Sequence, residues 1–410
     1  MEIKNLYEQF IKIHESKQFD TDYYSMNRDL PICEYDAERF IREYFECGGK
    51  AQVVYELLHN VDPMRNMHSI SAFFLGVLLK NKLNINLDAK YGNGKTVFPF
   101  GYMWYLVCLF HDMGYAQEEN YNYKFKYIKQ SEKFLKEHKE IVYYIKRKGK
   151  SDFADLGIIY EPIYNYSTYY KFSNKNGIKE SEMDKKTDLR LGNKIIIEKA
   201  KYRKETIYNY LEFCKLNPKI NHYDHGIVGG LWLYDSLIKN YIIHFEKEHK
   251  VNNEIKYDDF YITKGDRRLH FCEQQRVIFS YLSNCIIAHN MWCANDENNE
   301  EYKKCKLNEL TLENYKLIKF KDDPILFILA LVDTIEPIKL YHNSELSVKE
   351  IWKGIKCHIS STRLVYRIDD FKMDFSLIAK KVIDLNKWLD VQVQIDTNKR
   401  QIVISWDNEI

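Results

Sequence analysis

The chain has 410 residues, 61 of them basic and 59 acidic, for a formal net charge of +2, and its length suits one large domain or two. Charges that nearly cancel argue against a polyanion-coating protein and against an acidic tail, while leaving room for local basic patches. Only 16 glycines and 7 prolines punctuate the sequence, which favours helices. The nine cysteines are scattered without a C-x-x-C pair. Cys108, Cys214 and Cys285 lie inside apolar runs and read as buried thiols of a reducing compartment. The first residues lack the basic-then-apolar layout of a signal peptide. No uncharged apolar run approaches the length of a membrane span. The expectation is a soluble cytoplasmic protein with no membrane partner.

Residues 1 to about 60 read as short helices. Ala37 to Phe45 places apolar residues at helical spacing and stops at Gly48-Gly49. Asp62-Pro63 suits a helix start, with Asp as cap and Pro in the first turn. The helix that follows is strongly apolar and carries His68 near its beginning. Asn81 to Phe98 is polar and glycine-bearing, and is expected as a loop. Gly101 to Phe110 is a second apolar helix, and it runs into the adjacent pair His111-Asp112 with Gly114 behind it. Neutral imidazole and ionised carboxylate are common ligands of divalent metals. Adjacent helical residues point about 100° apart, so one metal held by both needs a terminal or bent backbone, which glycine permits.

From about Gln117 to Ile220 the pattern is poorer, with a helix candidate over Gln130 to Ile145. Basic residues alternate with aromatics from Tyr121 to Lys129, and Lys146, Arg147, Lys148 and Lys150 cluster. That stretch could grip a nucleic-acid strand by charge and stacking. A solvated helix face with packed tyrosines is the competing reading. His222, Asp224 and His225 then crowd before a small, apolar helix. Its glycines 226, 229 and 230 suit a close approach to the backbone, either by a neighbouring helix or by a ligand. Tyr257 to Arg268 reads as a connecting loop, and a long helix is expected from about His270 through His289-Asn290. Pro324 to Glu336 is a buried helix with Asp333 deep in its apolar run, ended or kinked by Pro337. Beyond about Ser344, Val365 to Ile368, Val391 to Ile395 and Ile402 to Trp406 read as strands, the last two as a hairpin, with a helix over Phe375 to Leu389.

His68, His111-Asp112, His225, His289 and Asp333 thus share one form: apolar, helical, interrupted by His or Asp. A charge in such a setting is costly unless paired or metal-bound. Any one of these residues alone suits a satisfied polar core group. Together, in a mostly helical chain, they point to one polar site in a bundle core.

The order His68, His111-Asp112, Asp333 resembles the H…HD…D signature of HD-domain metal-dependent phosphohydrolases. His111-Asp112-x-Gly114 has the family's glycine, and Leu329 to Asp333 is similar to its last helix. His225 with its glycines is similar to the third-histidine helix of members that hold two metals, and Ile287 to His289 to their fourth-histidine segment. The resemblance implies a mainly α fold. An HD-domain helical bundle would span 55–343, with a helical or irregular insertion at about 117–220. An N-terminal helical segment, 1–54, precedes it, and a small C-terminal α+β appendage, 344–410, follows. It further implies one or two divalent ions (Mn, Fe, Mg, Zn, Co or Ni) held by His68, His111, Asp112, His225, His289 and Asp333, with Asp112 bridging. His111, Asp112 and Asp333 would be catalytic. The implied reaction is hydrolysis of a phosphoester bond of a nucleotide or short, possibly cyclic, oligonucleotide by a metal-activated water. Lys264, Arg267 and Arg268, between two ligand segments, are candidate phosphate contacts; surface charges on a loop are the equal alternative.

Three positions depart from the family pattern. Tyr115 stands where many two-metal members have Lys. The paired histidine is His289-Asn290. The Gly-Tyr-Pro signature of one phosphodiesterase branch is absent. His222 or Asp224 would complete a second metal, though each equally suits a helix cap. A single-strand nuclease using nucleic acid as partner, a non-catalytic nucleotide-sensing module and an iron oxygenase are the competing functions. The oligomeric state is open.

Overall fold

In the computed structural model, residues 4–16, 29–48, 63–90, 96–112, 114–115, 190–192, 195–196, 225–226, 229–230, 233, 260–264, 267–271, 273–291, 304 and 317–407 are described. All structural statements below concern these residues.

The described chain is mainly helical. Its centre is a helix of 21 residues, Pro63–Leu83 (α3, after α1, Leu6–Glu15, and α2, Glu34–Gly48). Apolar side chains leave α3 on every side: Met67, Ala72, Phe73, Phe74, Leu75 and Leu79 are all buried. A helix that is hydrophobic all round must be enclosed by others. Here α1, α2, α4 (Phe100–Phe110), α6 (Pro324–Ile335) and α7 (Pro337–Tyr341) pack against it. The fifth helix, α5 (Glu273–Met291), packs on α4 and α6. Between α3 and α4 the contact is aromatic. Trp104 donates its indole N–H to the Phe73 carbonyl at 3.0 Å, and Tyr105 meets Phe73 edge to face.

Local signals fix where these helices begin. The Asn5 side chain accepts from the Glu8 amide at 2.8 Å, and that of Asp323 from the Leu326 amide at 3.2 Å. Ser347 and Glu350 form a reciprocal capping box at the start of α8 (Val348–Gly354). Pro337 separates α6 from α7, as its missing N–H requires.

A five-stranded antiparallel sheet covers one side of the bundle. It comprises β1 (Lys4–Asn5), β8 (Ile355–Ser360), β9 (Arg363–Ile368), β10 (Val391–Asp396) and β11 (Gln401–Trp406), in the order β1-β8-β9-β11-β10. Cys357 lies opposite both Lys4 and Tyr366, and Ile404 lies opposite Leu364 and Val393. Alternate residues Ile355, Cys357 and Ile359 are buried, as are Leu364, Tyr366 and Ile368. One face therefore packs on helices while the other meets water. The expected hairpin over β10 and β11 is present. The expected helix over Phe375 to Leu389 is shorter. It is α9 (Phe375–Val382) followed by one 3-10 turn, Leu385–Lys387.

Three expected loops or boundaries are corrected. The polar stretch 81–98 contains β2 (Ala89–Lys90) and β3 (Thr96–Phe98). They join β4 (Arg190–Leu191) and β5 (Ile195–Ile196) in a small sheet, because β4, distant in sequence, supplies the ladder partner of β2. The loop 257–268 is a hairpin of β6 (Phe260–Lys264) and β7 (Arg267–Phe271), with Lys264 paired to Arg267. The long helix starts at Glu273, because His270 already belongs to β7. Apart from β4 and β5, the expected insertion at about 117–220 lies outside the described residues, as do its helix candidate and its basic-aromatic stretch. No described helix is long and apolar enough to cross a membrane.

Candidate metal centre

Five segments deliver six side chains to one buried place. His68 comes from the second turn of α3, and His111 and Asp112 from the end of α4, where the helix stops. His225 comes from a helical stretch that includes residues 225, 226, 229 and 230, His289 from the last turn of α5, and Asp333 from the last turn of α6. The four histidines and Asp112 are each at most 4% exposed. The Asp333 side chain is 18% exposed. Asp333 therefore stands at the edge of the cluster.

The ligand atoms form two overlapping groups. His68, His111, Asp112 and Asp333 each offer an atom within 4.8 Å of the others, and so do Asp112, His225 and His289. Asp112 belongs to both. The His68 and His111 Nε2 atoms are 3.1 Å apart. His68 Nε2 is 3.2 Å from Asp112 Oδ2 and 3.2 Å from Asp333 Oδ1. His111 Nε2 is 3.5 Å from Asp112 Oδ1 and from Asp333 Oδ1, and His225 Nε2 is 4.0 Å from Asp112 Oδ1. Nitrogens and carboxylate oxygens that crowd at these distances suit cation ligation better than mutual hydrogen bonding. Asp112 Oδ1 is buried and accepts no hydrogen bond, an expensive state for a carboxylate oxygen unless a cation lies beside it. The residues present therefore fit one or two divalent ions with mixed imidazole and carboxylate ligands.

The far nitrogens orient the rings. His68 Nδ1–H donates to Glu336 Oε2 at 2.6 Å, His111 Nδ1–H to the Cys108 carbonyl at 2.7 Å, and His289 Nδ1–H to the Ile286 carbonyl at 2.5 Å. Each bond makes Nδ1 the donor and turns Nε2 toward the cluster, the usual arrangement around metal-ligating histidines. Burial, with His225 and His111 alongside, pushes His289 down to about 3, so it is neutral at pH 7. Burial also opposes charge on His68, but Asp112 and Glu336 outweigh it and raise the group to about 9. Burial likewise opposes ionisation of Asp112 and Asp333. For Asp112 the histidines and Lys339, and for Asp333 Lys339 above all, hold the carboxyl well below its ordinary range.

Close backbone approach assembles the second group. A Cβ on Gly114 would overlap the carbonyl oxygen of His225, and one on Gly229 would overlap that of Phe110. Gly114 and Gly229, singled out in the sequence, thus let residues 225 and 229 lie directly on the backbone at and just beyond the end of α4.

Sequence reasoning missed Arg65, Glu336 and Lys339. Glu336 is fully buried; besides His68, its carboxylate accepts from the Ile338 and Lys339 amides, both at 2.9 Å. Lys339 Nζ donates to both oxygens of Asp333, at 2.8 and 3.1 Å. Arg65 lies 3.4 Å from Asp112 Oδ2, and its guanidinium sits 3.6 Å above the Tyr115 ring. An acid immediately before a proline is a readable cap signal for Glu336. Nothing in the sequence marks Arg65 or Lys339 apart from their closeness to His68 and Asp333. Lys264, Arg267 and Arg268 lie on the β6–β7 hairpin, and their side chains are outside the described residues. The same holds for His222, Asp224 and the Asn290 side chain.

Compared with protein-family models, with curated proteins and with solved structures, the chain matches none.

Proposed function

We propose that the chain is a metal-dependent hydrolase of the HD-domain type, an α-helical bundle whose core holds divalent ions. More particularly, it is a phosphohydrolase or phosphodiesterase that cleaves a phosphoester bond of a nucleotide or a short, possibly cyclic, oligonucleotide. The observation that carries this reading is the convergence of His68, His111, Asp112 and Asp333 on one point, with His225 and His289 sharing Asp112 beside it. The residues of the H…HD…D series lie within ligand distance of one another, which supports this reading.

Divalent ions bound there would supply an acidified water near neutral pH and offset charge developing on phosphorus. The chain's own residues do the rest. Glu336 and the Cys108 and Ile286 carbonyls lock the imidazoles with Nε2 inward. Asp112 and Asp333 stay ionised and act as ligands rather than proton donors. Burial and the nearby carboxylates keep the Tyr115 phenol protonated, so it can donate a hydrogen bond but does not serve as a base. Lys339, paired with Asp333, also keeps its proton.

Metal analysis of the purified chain, with a phosphate-release screen over nucleotides, cyclic dinucleotides and short DNA and RNA, tests the reading. His111→Ala and Asp112→Ala should each abolish metal-dependent turnover while leaving the helical circular dichroism intact. Wild-type turnover in both variants would remove this centre from the chemistry. Steeply salt-dependent oligonucleotide binding would instead favour the single-strand nuclease.

A further inference from the structure

The turn after α4 carries more than the ligands His111 and Asp112. The Tyr115 amide donates to the Asp112 carbonyl at 3.0 Å, so Tyr115 is tied to the residue that both ligand groups share. Its ring lies on that of His225, with centroids 3.7 Å apart and planes 17° from parallel. The Arg65 guanidinium sits 3.6 Å from the centre of the same ring. Two groups that close cannot share one face of a phenol ring, so Tyr115 is the middle layer of a three-part stack. Arg65 in turn approaches Asp112 Oδ2 at 3.4 Å. Asp112, Arg65, Tyr115 and His225 thus form a chain of contacts that runs from one ligand of the second group to another.

Backbone and ring of His225 are held separately. The main chain is fixed by the close approach of Gly114, where a Cβ would overlap the His225 carbonyl oxygen. That contact leaves the side-chain torsions to whatever touches the imidazole. At His68, His111 and His289 an acceptor at Nδ1 orients the ring. At His225 a flat aromatic contact orients it, because turning the imidazole about its Cβ–Cγ bond would drive its edge into the Tyr115 ring. The His225 Nε2 atom is 4.0 Å from Asp112 Oδ1, and its ring meets that of His289 edge to face at 5.4 Å.

The two ligand groups are unequal. His68, His111, Asp112 and Asp333 offer four ligand atoms to one position, whereas Asp112, His225 and His289 offer three to the other. A position with fewer ligands depends more on the orientation of each. The residue that aims His225 therefore bears on the second position and leaves the first untouched.

We infer that Tyr115 is a positioning residue for the second cation. Its ring holds the His225 imidazole in the ligating orientation, so filling of the position at Asp112, His225 and His289 requires an aromatic side chain at residue 115. Filling of the position at His68, His111, Asp112 and Asp333 does not. This rests on the metal-centre reading above and states what governs the passage from one bound ion to two.

The test is calorimetry of Mn²⁺ binding to the full metal-free chain, with thermal melts of each variant alongside. Wild type should bind two ions in two steps. Tyr115→Leu should keep the first step and weaken the second by about tenfold. That factor is the upper range for one aromatic pair and the lower range for loss of a histidine's orienting partner. Tyr115→Phe, which keeps the ring and drops the hydroxyl, should restore the second step to the wild-type affinity. Should Tyr115→Leu fail to melt cooperatively, Tyr115→Met fills much of the same volume without a flat ring and should show the same selective loss. A wild-type second step in the Leu or Met variant would overturn the inference, as would equal loss in Tyr115→Phe, or a wild-type chain that binds one ion only. Each of these leaves the four-ligand centre standing. A wild-type chain that binds no Mn²⁺ would overturn both.

Discussion

Both nitrogens of His68 are committed, Nδ1 to Glu336 and Nε2 to the carboxylates of the cluster. With no cation bound, its folded-state value of about 9 exceeds the ordinary 6.5. The protonated ring then stabilises the fold fully below pH 6.5, and this contribution fades as pH rises through about 9. A cation at Nε2 must displace that proton. Divalent-ion affinity should therefore climb with pH, by about tenfold per unit for one proton released per ion, from neutrality toward pH 9. Calorimetry of Mn²⁺ in buffers of different ionisation enthalpy counts the proton directly. Affinity flat across this range, with no proton released, would contradict the assignment of His68 as a ligand. At this scale the sequence pointed to the side chains that cluster and was silent about those that support them. His and Asp stand out in apolar helices because burying them is costly. Arg65 and Lys339 carry no such mark, since a charged side chain in a helical stretch is ordinary.

The short element α7 shows how one residue serves fold and site together. Glu336 closes α6, caps α7 through the Ile338 and Lys339 amides, and orients His68. Glu336→Ala should cost about 1 kcal/mol as a lost cap, and more because His68 Nδ1–H is left buried without a partner. Metal affinity should also fall by about 10- to 100-fold, the usual effect of removing a histidine's orienting partner. Glu336→Gln, which keeps an acceptor oxygen, should recover part of both. Thermal melts and Mn²⁺ titration read the two effects separately, and an unchanged Mn²⁺ affinity in Glu336→Ala would deny the orienting role. Helices were the legible elements because apolar runs that open on Pro63 and Pro324 announce themselves. The short strands were not. Ala89–Lys90 has no strand character of its own and becomes a strand only because Arg190–Leu191 pairs with it. The β6–β7 hairpin was readable in principle from Gly265-Asp266 between β-forming residues.

At the scale of the molecule, the described N-terminal and C-terminal residues make direct contacts with the bundle. Lys4–Asn5 forms an edge of the C-terminal sheet. Trp352, fully buried, donates its indole N–H to Ser71 Oγ on α3 at 3.0 Å, and Tyr366 donates its hydroxyl to the Ile335 carbonyl on α6 at 3.0 Å. Trp406 packs edge-on against Phe327 of α6. The sequence boundary near 344 marked a change from helix to strand, and nothing local could show that the sheet closes over the same core. A chain truncated after residue 343 should expose that core and lose its cooperative thermal transition. A truncated chain that melts cooperatively near the wild-type temperature would show the sheet to be an independent unit.

The account stands on a bundle that brings six side chains together to hold cations. Anomalous diffraction from crystals soaked in Mn²⁺ tests this most directly. It should place one peak among His68, His111, Asp112 and Asp333, and a second beside Asp112, His225 and His289 when both positions fill. Crystals that diffract well after soaking yet show no anomalous peak within ligand distance of Asp112 would contradict it.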